Sequence, residues 1–244
     1  MEGHVRAVLF DAGNTLIYVH PERVAEILRA AGAPVDAAGV REAERAARRR
    51  LHDVIDDGQL GTEPEVWRAY FSTLFRRSGV PAEGMEQAGR MLRDTHAHDH
   101  LWTWVEEGTV EALEALAAAG YRLAVISNAD GRVESVLRDV GLARHFEFVM
   151  DSEVVGVSKP DPTIFLEGCR RLGLAPEACL YVGDLYPVDY VGATGAGLHG
   201  VLLDPLALHR GRAPRVSTLG EIESFLSNGL GSGGPAFPQG PTHS

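Results

Sequence analysis

Short apolar segments with helix-length stretches between them recur along this chain, and this alternation constrains the fold more than any other feature. The five segments are Val5–Phe10, Tyr121–Ser127, Phe146–Met150, Cys179–Val182 and Leu198–Leu203. The last four alternate with stretches of helical periodicity, which is typical of βαβ units. The sequence therefore predicts a three-layer α/β protein, in which helices cover both faces of a mostly parallel five-stranded sheet.

The stretch between the first two strands breaks this alternation. From about Tyr18 to Asp99 no strand pattern is evident, and apolar residues recur at helical spacing in four separate stripes. We therefore expect an all-helical domain over residues 18–99, inserted into a core made of residues 1–17 and 100–226. Residues 227–244 are rich in Gly, Pro and Ser, and we expect them to form a disordered tail.

Composition excludes several classes of partner. The chain has 23 basic and 34 acidic residues, a net charge of −11, which disfavours binding to nucleic acid or to an anionic membrane. No apolar run is long enough to span a bilayer, and the first residues lack a signal-peptide pattern. We interpret Cys169 and Cys179 as reduced thiols of a cytoplasmic protein, either a monomer or a homodimer.

Chemically capable side chains follow several of the predicted strands. Ligands of open parallel sheets bind at the carboxyl ends of the strands, so these side chains are expected along one edge. Any one of them alone also suits a turn or a helix cap, whereas the full set in this order is less ordinary. One member is the only lysine of the chain. The set consists of Asp11, Ser127, Asn128, Lys159, Asp184 and Asp189.

This arrangement resembles the haloacid dehalogenase-like (HAD) hydrolase superfamily over about residues 5–205, in the subgroup with a helical cap after the first strand. The stretch around Lys159 and the run from Gly183 to Asp189 are its more specific parts. The resemblance implies a Rossmann-like core and a site whose roles we list by residue. Asp11 would be the nucleophile and a metal ligand, Asp184 a metal ligand, Asp189 the acid behind it, Ser127 and Asn128 the phosphate-binding pair, and Lys159 the contact to nucleophile and substrate.

The charges of such a site require a cation. A phosphoryl group adds negative charge beside three carboxylates, and Mg²⁺ prefers oxygen ligands that can bridge carboxylate and phosphate. The resemblance therefore predicts a Mg²⁺-dependent phosphatase for a small phosphomonoester, with an aspartyl-phosphate formed on Asp11.

Gly13 departs from the pattern of phosphatases in this family, which carry an acid/base aspartate at this position. Glycine can still offer its backbone carbonyl to the metal, but a positioned acid contributes about 10²–10⁴-fold to the rate. Either the substrate has a good leaving group or another residue supplies the proton, and His20 in the first linker is the nearest candidate. Two other functions stay open: a 2-haloacid dehalogenase, which the intact Asp184 disfavours, and a non-catalytic phosphate-binding or interaction protein.

Three further segments carry weaker signals. The histidine-rich stretch His96–His100 is expected to be a polar linker, with a structural zinc site as the alternative. The turn Asp57–Gly61 between two cap helices is a candidate for substrate selectivity. Trp102 and Trp104 are expected to pack at the hinge between cap and core.

Overall fold

The computed structural model describes residues 4–56 and 64–228. The turn predicted at Asp57–Gly61 lies outside these residues, as does the predicted tail from residue 229 onward. Ser227, where that tail was expected to begin, is the last residue of a helix. Within the described ranges, no helix combines the length and the apolar character needed to cross a bilayer.

In the part of the chain that the structure describes, eight strands form two sheets. In chain order they are β1 (Ala7–Phe10), β2 (Tyr18–Val19), β3 (Trp102–Trp104), β4 (Arg122–Ser127), β5 (Val149–Asp151), β6 (Cys179–Gly183), β7 (His199–Leu203) and β8 (Arg215–Val216). The main sheet has the order β5-β4-β1-β6-β7-β8, and all its neighbours are parallel. Since β1 lies between β4 and β6, the ends of these three strands are adjacent.

The main sheet contains the five predicted strands and one more. The additional strand, β8, pairs with β7 at the sheet edge through two residues, too few to leave an alternating pattern in the sequence. The small antiparallel sheet of β2 and β3 was also not predicted, because its strands are two and three residues long. β2 lies where the chain leaves the main-sheet region and β3 lies where it returns, so the small sheet pairs the two connecting segments.

Over residues 4–56 and 64–228, ten α-helices accompany the strands. They are α1 (Pro21–Ala30), α2 (Ala37–Asp56), α3 (Pro64–Arg77), α4 (Met85–His98), α5 (Thr109–Ala118), α6 (Val133–Asp139), α7 (Ser152–Val155), α8 (Pro162–Leu172), α9 (Val191–Gly195) and α10 (Ile222–Ser227). A π-helical turn, Tyr186–Tyr190, precedes α9.

Both faces of the main sheet are buried, as predicted. Val8 and Phe10 of β1 belong to one apolar cluster with residues of α5, α6 and α10, while Ala7 and Leu9 belong to a second cluster with residues of α8. Successive side chains of a strand point to opposite faces, so a strand buried on both faces reads as a continuous apolar run. The result is the expected three-layer, Rossmann-like core.

Helices α1 to α4 form a helical layer around one apolar cluster, which Leu101 and Val188 join from the core. The four predicted stripes all contribute to that cluster, through Val24, Leu28, Val40, Leu51, Leu74 and Leu92 among its buried members. Trp102 of β3 packs against the rings of Trp67 and Phe71, with centroids 5.5 and 6.2 Å apart. Trp102 thus lies at the junction between the helical layer and the core, where hinge packing was expected.

The two cysteines are buried and neither forms a disulfide. Cys169 lies on α8 and Cys179 begins β6. Their thiols therefore act as small apolar groups in the core, in agreement with the predicted reduced state.

Candidate active site at the carboxyl ends of the central strands

The three central strands bring three of the predicted side chains to one edge of the sheet. Asp11 directly follows β1, Ser127 is the last residue of β4, and Asp184 directly follows β6. All three are at least nine-tenths buried, and all three line one cavity. Since β4, β1 and β6 are neighbours, residues separated by more than fifty positions in the chain meet at this edge.

Lys159 lies in the loop before α8 and its side chain reaches Asp11. Its Nζ donates hydrogen bonds to Asp11 Oδ1 and Asp189 Oδ1, both at 2.7 Å, and to Tyr181 Oη at 2.9 Å. Burial alone would lower the pKa of this ammonium, but the Asp11 and Asp189 carboxylates hold the pKa well above its usual value. Lys159 therefore stays charged and is held by three partners.

Tyr181 completes the lysine's surroundings and was not predicted from the sequence. Its hydroxyl donates to the Ile126 carbonyl at 2.7 Å while accepting from Lys159. Burial raises the pKa of this phenol well above its usual value, so the hydroxyl remains neutral. In the sequence Tyr181 reads as one more apolar strand residue, and only its partners reveal its role in orienting the lysine.

Asp11, Asp184 and Asp189 form an acidic cluster in which one oxygen of each lies within 4.8 Å of the others. Asp189 has a partner for each oxygen, Lys159 Nζ for Oδ1 and the Leu185 amide, at 2.8 Å, for Oδ2. Asp184 Oδ2 is buried without a hydrogen-bond partner among the described residues. Burial, reinforced by the Asp189 and Asp11 carboxylates, raises the pKa of Asp184 well above its usual value.

This donor set fits a hard divalent cation. Mg²⁺ takes carboxylate and carbonyl oxygens, and a bound cation would satisfy the orphaned Asp184 oxygen and offset the repulsion within the cluster. Asp11 and Asp184 can offer the side-chain oxygens, whereas Asp189 is already engaged with Lys159 and the Leu185 amide. The role of Asp189 behind the metal ligands stays a prediction.

Gly13 lines the cavity two residues after Asp11, and no side chain occupies the acid/base position. A Cβ placed on Gly13 would meet no described atom within 4 Å. The next residue, Asn14, is 5% exposed with a positive φ of 56° and a buried Oδ1 that lacks a described partner. A non-glycine residue in this conformation at an active-site turn is a feature that the sequence did not signal.

The Ser127–Asn128 pair divides into two roles. Ser127 is buried and lines the cavity beside Asp11. The Asn128 amide donates to the Lys159 carbonyl at 2.9 Å and accepts from the Lys159 backbone N–H at 2.8 Å. Asn128 was predicted to bind substrate. Its side chain holds the loop that carries Lys159, and the residue also borders the cavity.

His20 lies apart from this group. It precedes α1, with Nδ1 3.2 Å from the Glu22 carboxylate and its ring against Trp104. It is not among the described residues that line the cavity with Asp11. We therefore assign it no part in proton transfer.

His52 contributes a contact from the helical layer that the sequence did not predict. It lies on α2, with Nε2 3.8 Å from Asp184 Oδ2 and Nδ1 2.9 Å from Nε2 of His209 in the core. Burial, with His209 nearby, lowers the pKa of His52 to about 3, so the imidazole is neutral at neutral pH. Asp56, at the end of the same helix, pairs with Arg212 of the core. These contacts dock α2 beside the acidic cluster.

The histidine-rich stretch also meets the core. His96 at the end of α4 and His100 beyond it lie 3.3 and 4.0 Å from the Asp130 carboxylate. Nδ1 of each ring accepts a hydrogen bond from a backbone N–H group. The ring proton of each neutral histidine is therefore on Nε2, the atom that faces Asp130. Asp130 also pairs with Arg132. One ligand atom each of His96, His100 and Asp130 lies within 4.8 Å of the other two, a spacing that fits a hydrogen-bonded junction and also a metal ion.

A cavity of about 1010 Å³ extends from the acidic cluster into the helical layer. Its core side carries the polar groups described above, including Asp11, Ser127 and Lys159. The lining residues from α3, α4 and β3 are mainly apolar. A ligand in this cavity therefore meets polar chemistry at one end and an apolar surface at the other.

Comparison with known proteins agrees with this geometry. A family model described as haloacid dehalogenase-like hydrolase matches residues 5–197. The chain is 35% identical over 206 residues to the Mus musculus haloacid dehalogenase-like hydrolase domain-containing protein 3, with 82% of each chain covered. It is 31% identical over 200 residues to a glyceraldehyde 3-phosphate phosphatase of Methanopyrus kandleri, covering 80% of this chain and 82% of that one.

Among solved structures, the magnesium-bound crystal structure of YfnB from Bacillus subtilis superimposes with a TM-score of 0.66. The match covers 91% of this chain and 99% of that one at 22% identity. At that level of identity the similarity extends to the fold.

Proposed function

Because this chain belongs to the haloacid dehalogenase-like hydrolase family, we propose that it is a Mg²⁺-dependent phosphatase that hydrolyses small phosphomonoesters through an aspartyl-phosphate. The observation that carries the proposal is the 2.7 Å contact of Lys159 Nζ with Asp11 Oδ1, beside the unpartnered Oδ2 of Asp184. The Lys159 ammonium is already held against Asp11, the proposed nucleophile. Oδ2 of Asp184 is buried without a hydrogen-bond partner among the described residues, and a metal cation would satisfy it.

The proposed reaction uses Asp11 as the nucleophile. A carboxylate oxygen of Asp11 attacks phosphorus in line with the leaving oxygen, whose bond to phosphorus breaks as the acyl phosphate forms. Lys159 balances charge on the transferring group, and the Ser127 hydroxyl orients one of its oxygens. Water then hydrolyses the acyl phosphate, which releases phosphate and restores the Asp11 carboxylate.

Asp11, Asp184 and the Gly13 carbonyl are the groups proposed to hold Mg²⁺. When bound, the ion neutralises phosphate charge and makes the phosphorus more susceptible to attack. Asp189 supports this arrangement from behind, because it fixes the Lys159 ammonium that faces the nucleophile. A reaction without a metal ion does not require a buried carboxylate oxygen that lacks a hydrogen-bond partner among the described residues, such as Asp184 Oδ2. This oxygen therefore favours metal-dependent phosphoryl transfer over metal-free dehalogenation.

We also propose that residues 18–99 act as a cap over a core of residues 1–17 and 100–226. The support is that α1 to α4 pack around one apolar cluster, distinct from the clusters on the two faces of the main sheet, and that the cavity is bounded by both parts. Closure of the cap would exclude water from the acyl phosphate while the leaving group departs.

The test is phosphate release from acetyl phosphate and from small phosphate esters, in the presence of Mg²⁺ or of EDTA. We expect turnover with Mg²⁺, loss of turnover in EDTA, and at least a 10³-fold loss in Asp11→Asn. The matched control is Asp139→Asn, at an exposed helix end, which should retain full activity. Release of halide from 2-haloacids without metal would instead identify a dehalogenase. Absence of turnover with every substrate would favour a binding protein.

A further inference from the structure

Part of the cavity lining is an aromatic surface. Four rings from two elements form it, and we call them the aromatic wall: Trp67, Phe71 and Phe75 of α3 and Trp102 of β3. Phe71 is the hub, with ring centroids 6.3, 6.2 and 6.2 Å from those of Trp67, Phe75 and Trp102. Met85 and Leu92 of α4 extend the apolar surface.

Most polar groups near the aromatic wall already have hydrogen-bond or ion-pair partners within the protein. His96 and His100 are bonded to backbone N–H groups and face Asp130. Of the charged lining residues of α3 and α4, Arg68 pairs with Glu65 and Glu86 with Arg90, and these two residues and Arg93 are solvent-exposed. A polyhydroxylated leaving group would therefore leave hydroxyls without partners against this wall, which costs binding energy.

The size of the cavity points the same way. Pockets of about 300–1,000 Å³ hold drug-sized ligands, and this cavity of about 1010 Å³ lies at the upper end of that range. A three-carbon phosphate would leave most of the aromatic wall uncovered. A leaving group with one or two aromatic rings would cover it by stacking or edge-to-face contact.

The vacant acid position at Gly13 gives an independent reason for an aromatic leaving group. A phenol has a pKa of about 10, as in tyrosine, whereas water, whose hydroxide resembles an alkoxide leaving group, has a pKa of about 15.7. A phenolate can depart with the electron pair of the broken P–O bond and take its proton from solvent afterwards. An alkoxide needs a proton donor during bond cleavage, and no side chain at position 13 supplies one.

We propose that the substrates of this site are aryl phosphomonoesters, whose ring packs on the aromatic wall while the phosphate meets Asp11 and Lys159. The net reaction converts an aryl phosphate and water into a phenol and inorganic phosphate. This inference rests on the phosphatase function proposed above and extends it to a substrate class.

The experiment compares kcat/KM in the presence of Mg²⁺ for three esters, 1-naphthyl phosphate, phenyl phosphate and glycerol 3-phosphate, and for the acyl phosphate acetyl phosphate. Acetyl phosphate has a good leaving group without a ring, so it separates leaving-group chemistry from contact with the wall. We expect 1-naphthyl phosphate to exceed glycerol 3-phosphate by about 10²-fold or more. Glyceraldehyde 3-phosphate, the substrate in the name of the Methanopyrus kandleri relative, should group with glycerol 3-phosphate.

Variants of the wall test the contact itself. Phe71→Ala and Trp67→Ala should lower kcat/KM for 1-naphthyl phosphate about 3- to 10-fold and leave acetyl phosphate within about 2-fold. Phe71→Leu keeps apolar volume and serves if the alanine variants fold poorly by circular dichroism. The matched control is Phe148→Ala, which removes a half-buried ring that is not among the described lining residues.

Each outcome decides between the two levels of the proposal. If glycerol 3-phosphate equals 1-naphthyl phosphate, or if the wall variants affect acetyl phosphate as strongly as the naphthyl ester, the aryl assignment is wrong and the phosphatase function stands. If neither the three esters nor acetyl phosphate release phosphate, both the phosphatase function and the aryl assignment are wrong.

Discussion

Restoring an acid at position 13 is the sharpest perturbation of this site. Gly13 has an unstrained backbone, and a Cβ there would contact no described atom within 4 Å. The Gly13→Asp substitution should therefore fit without repacking and, with Mg²⁺ present, change the free energy of unfolding by less than about 1 kcal/mol. The new carboxyl would lie two residues after Asp11, on the turn that lines the cavity.

The expected gain depends on the leaving group. A positioned general acid contributes about 10²–10⁴-fold, or about 2.7–5.5 kcal/mol of transition-state stabilisation. For glycerol 3-phosphate, whose alkoxide needs a proton, kcat should rise toward the lower end of that range. For phenyl phosphate the gain should stay below about 10-fold, because a phenolate leaves without protonation.

The assay is steady-state phosphate release from both esters, measured for the wild type, Gly13→Asp and Gly13→Asn. The asparagine variant has the same shape without an ionisable proton, so it should show no gain. An equal gain for both esters, a gain in Gly13→Asn, or a loss of activity in Gly13→Asp with Mg²⁺ bound would refute the reasoning. Each of these results would mean that the site is organised around a different proton donor or a different reaction.

Two further predictions concern buried charges. Lys159→Met leaves the Asp11 and Asp189 carboxylates without their shared cation and should lower the free energy of unfolding by about 3–5 kcal/mol in urea titrations. Lys159→Met combined with Asp189→Asn should recover part of that loss, and a loss below about 1 kcal/mol would contradict the argument. Burial, followed by the neighbouring His96, lowers the pKa of His100 to about 4, below the unfolded value of about 6.5. The unfolded chain therefore binds a proton first, so this contribution to stability is present above pH 6.5 and lost as the pH falls toward 4. His100→Gln should flatten the fall of Tm in that window, while the same change at exposed His4 should not.

Much of the core could be predicted from the sequence because its signals are local. A strand buried on both faces, such as β1 or β6, appears as an uninterrupted apolar run whatever it packs against. The stripes of α1 to α4 likewise report one buried face each. The order of strands then placed Asp11, Ser127 and Asp184 at one edge, since parallel strands end together.

The partners that complete the site were not predictable in this way. Tyr181 looks like an ordinary strand residue, and His52 looks like one polar position on a long helix. Their roles follow from groups more than twenty positions away, Lys159 for the tyrosine and Asp184 for the histidine. The same holds for the aromatic wall, where Trp102 of β3 joins rings of α3.

The sequence by itself determined the layers of the core, the helical content of the insertion and the acids that follow the central strands. Only the tertiary structure decided that Asp184 keeps an oxygen without a partner among the described residues, that Asn128 holds the lysine loop and that aromatic rings line the same cavity as the acids. The physical reason is that periodicity along a chain records which side of an element avoids water. It does not record which distant side chain fills the space on that side.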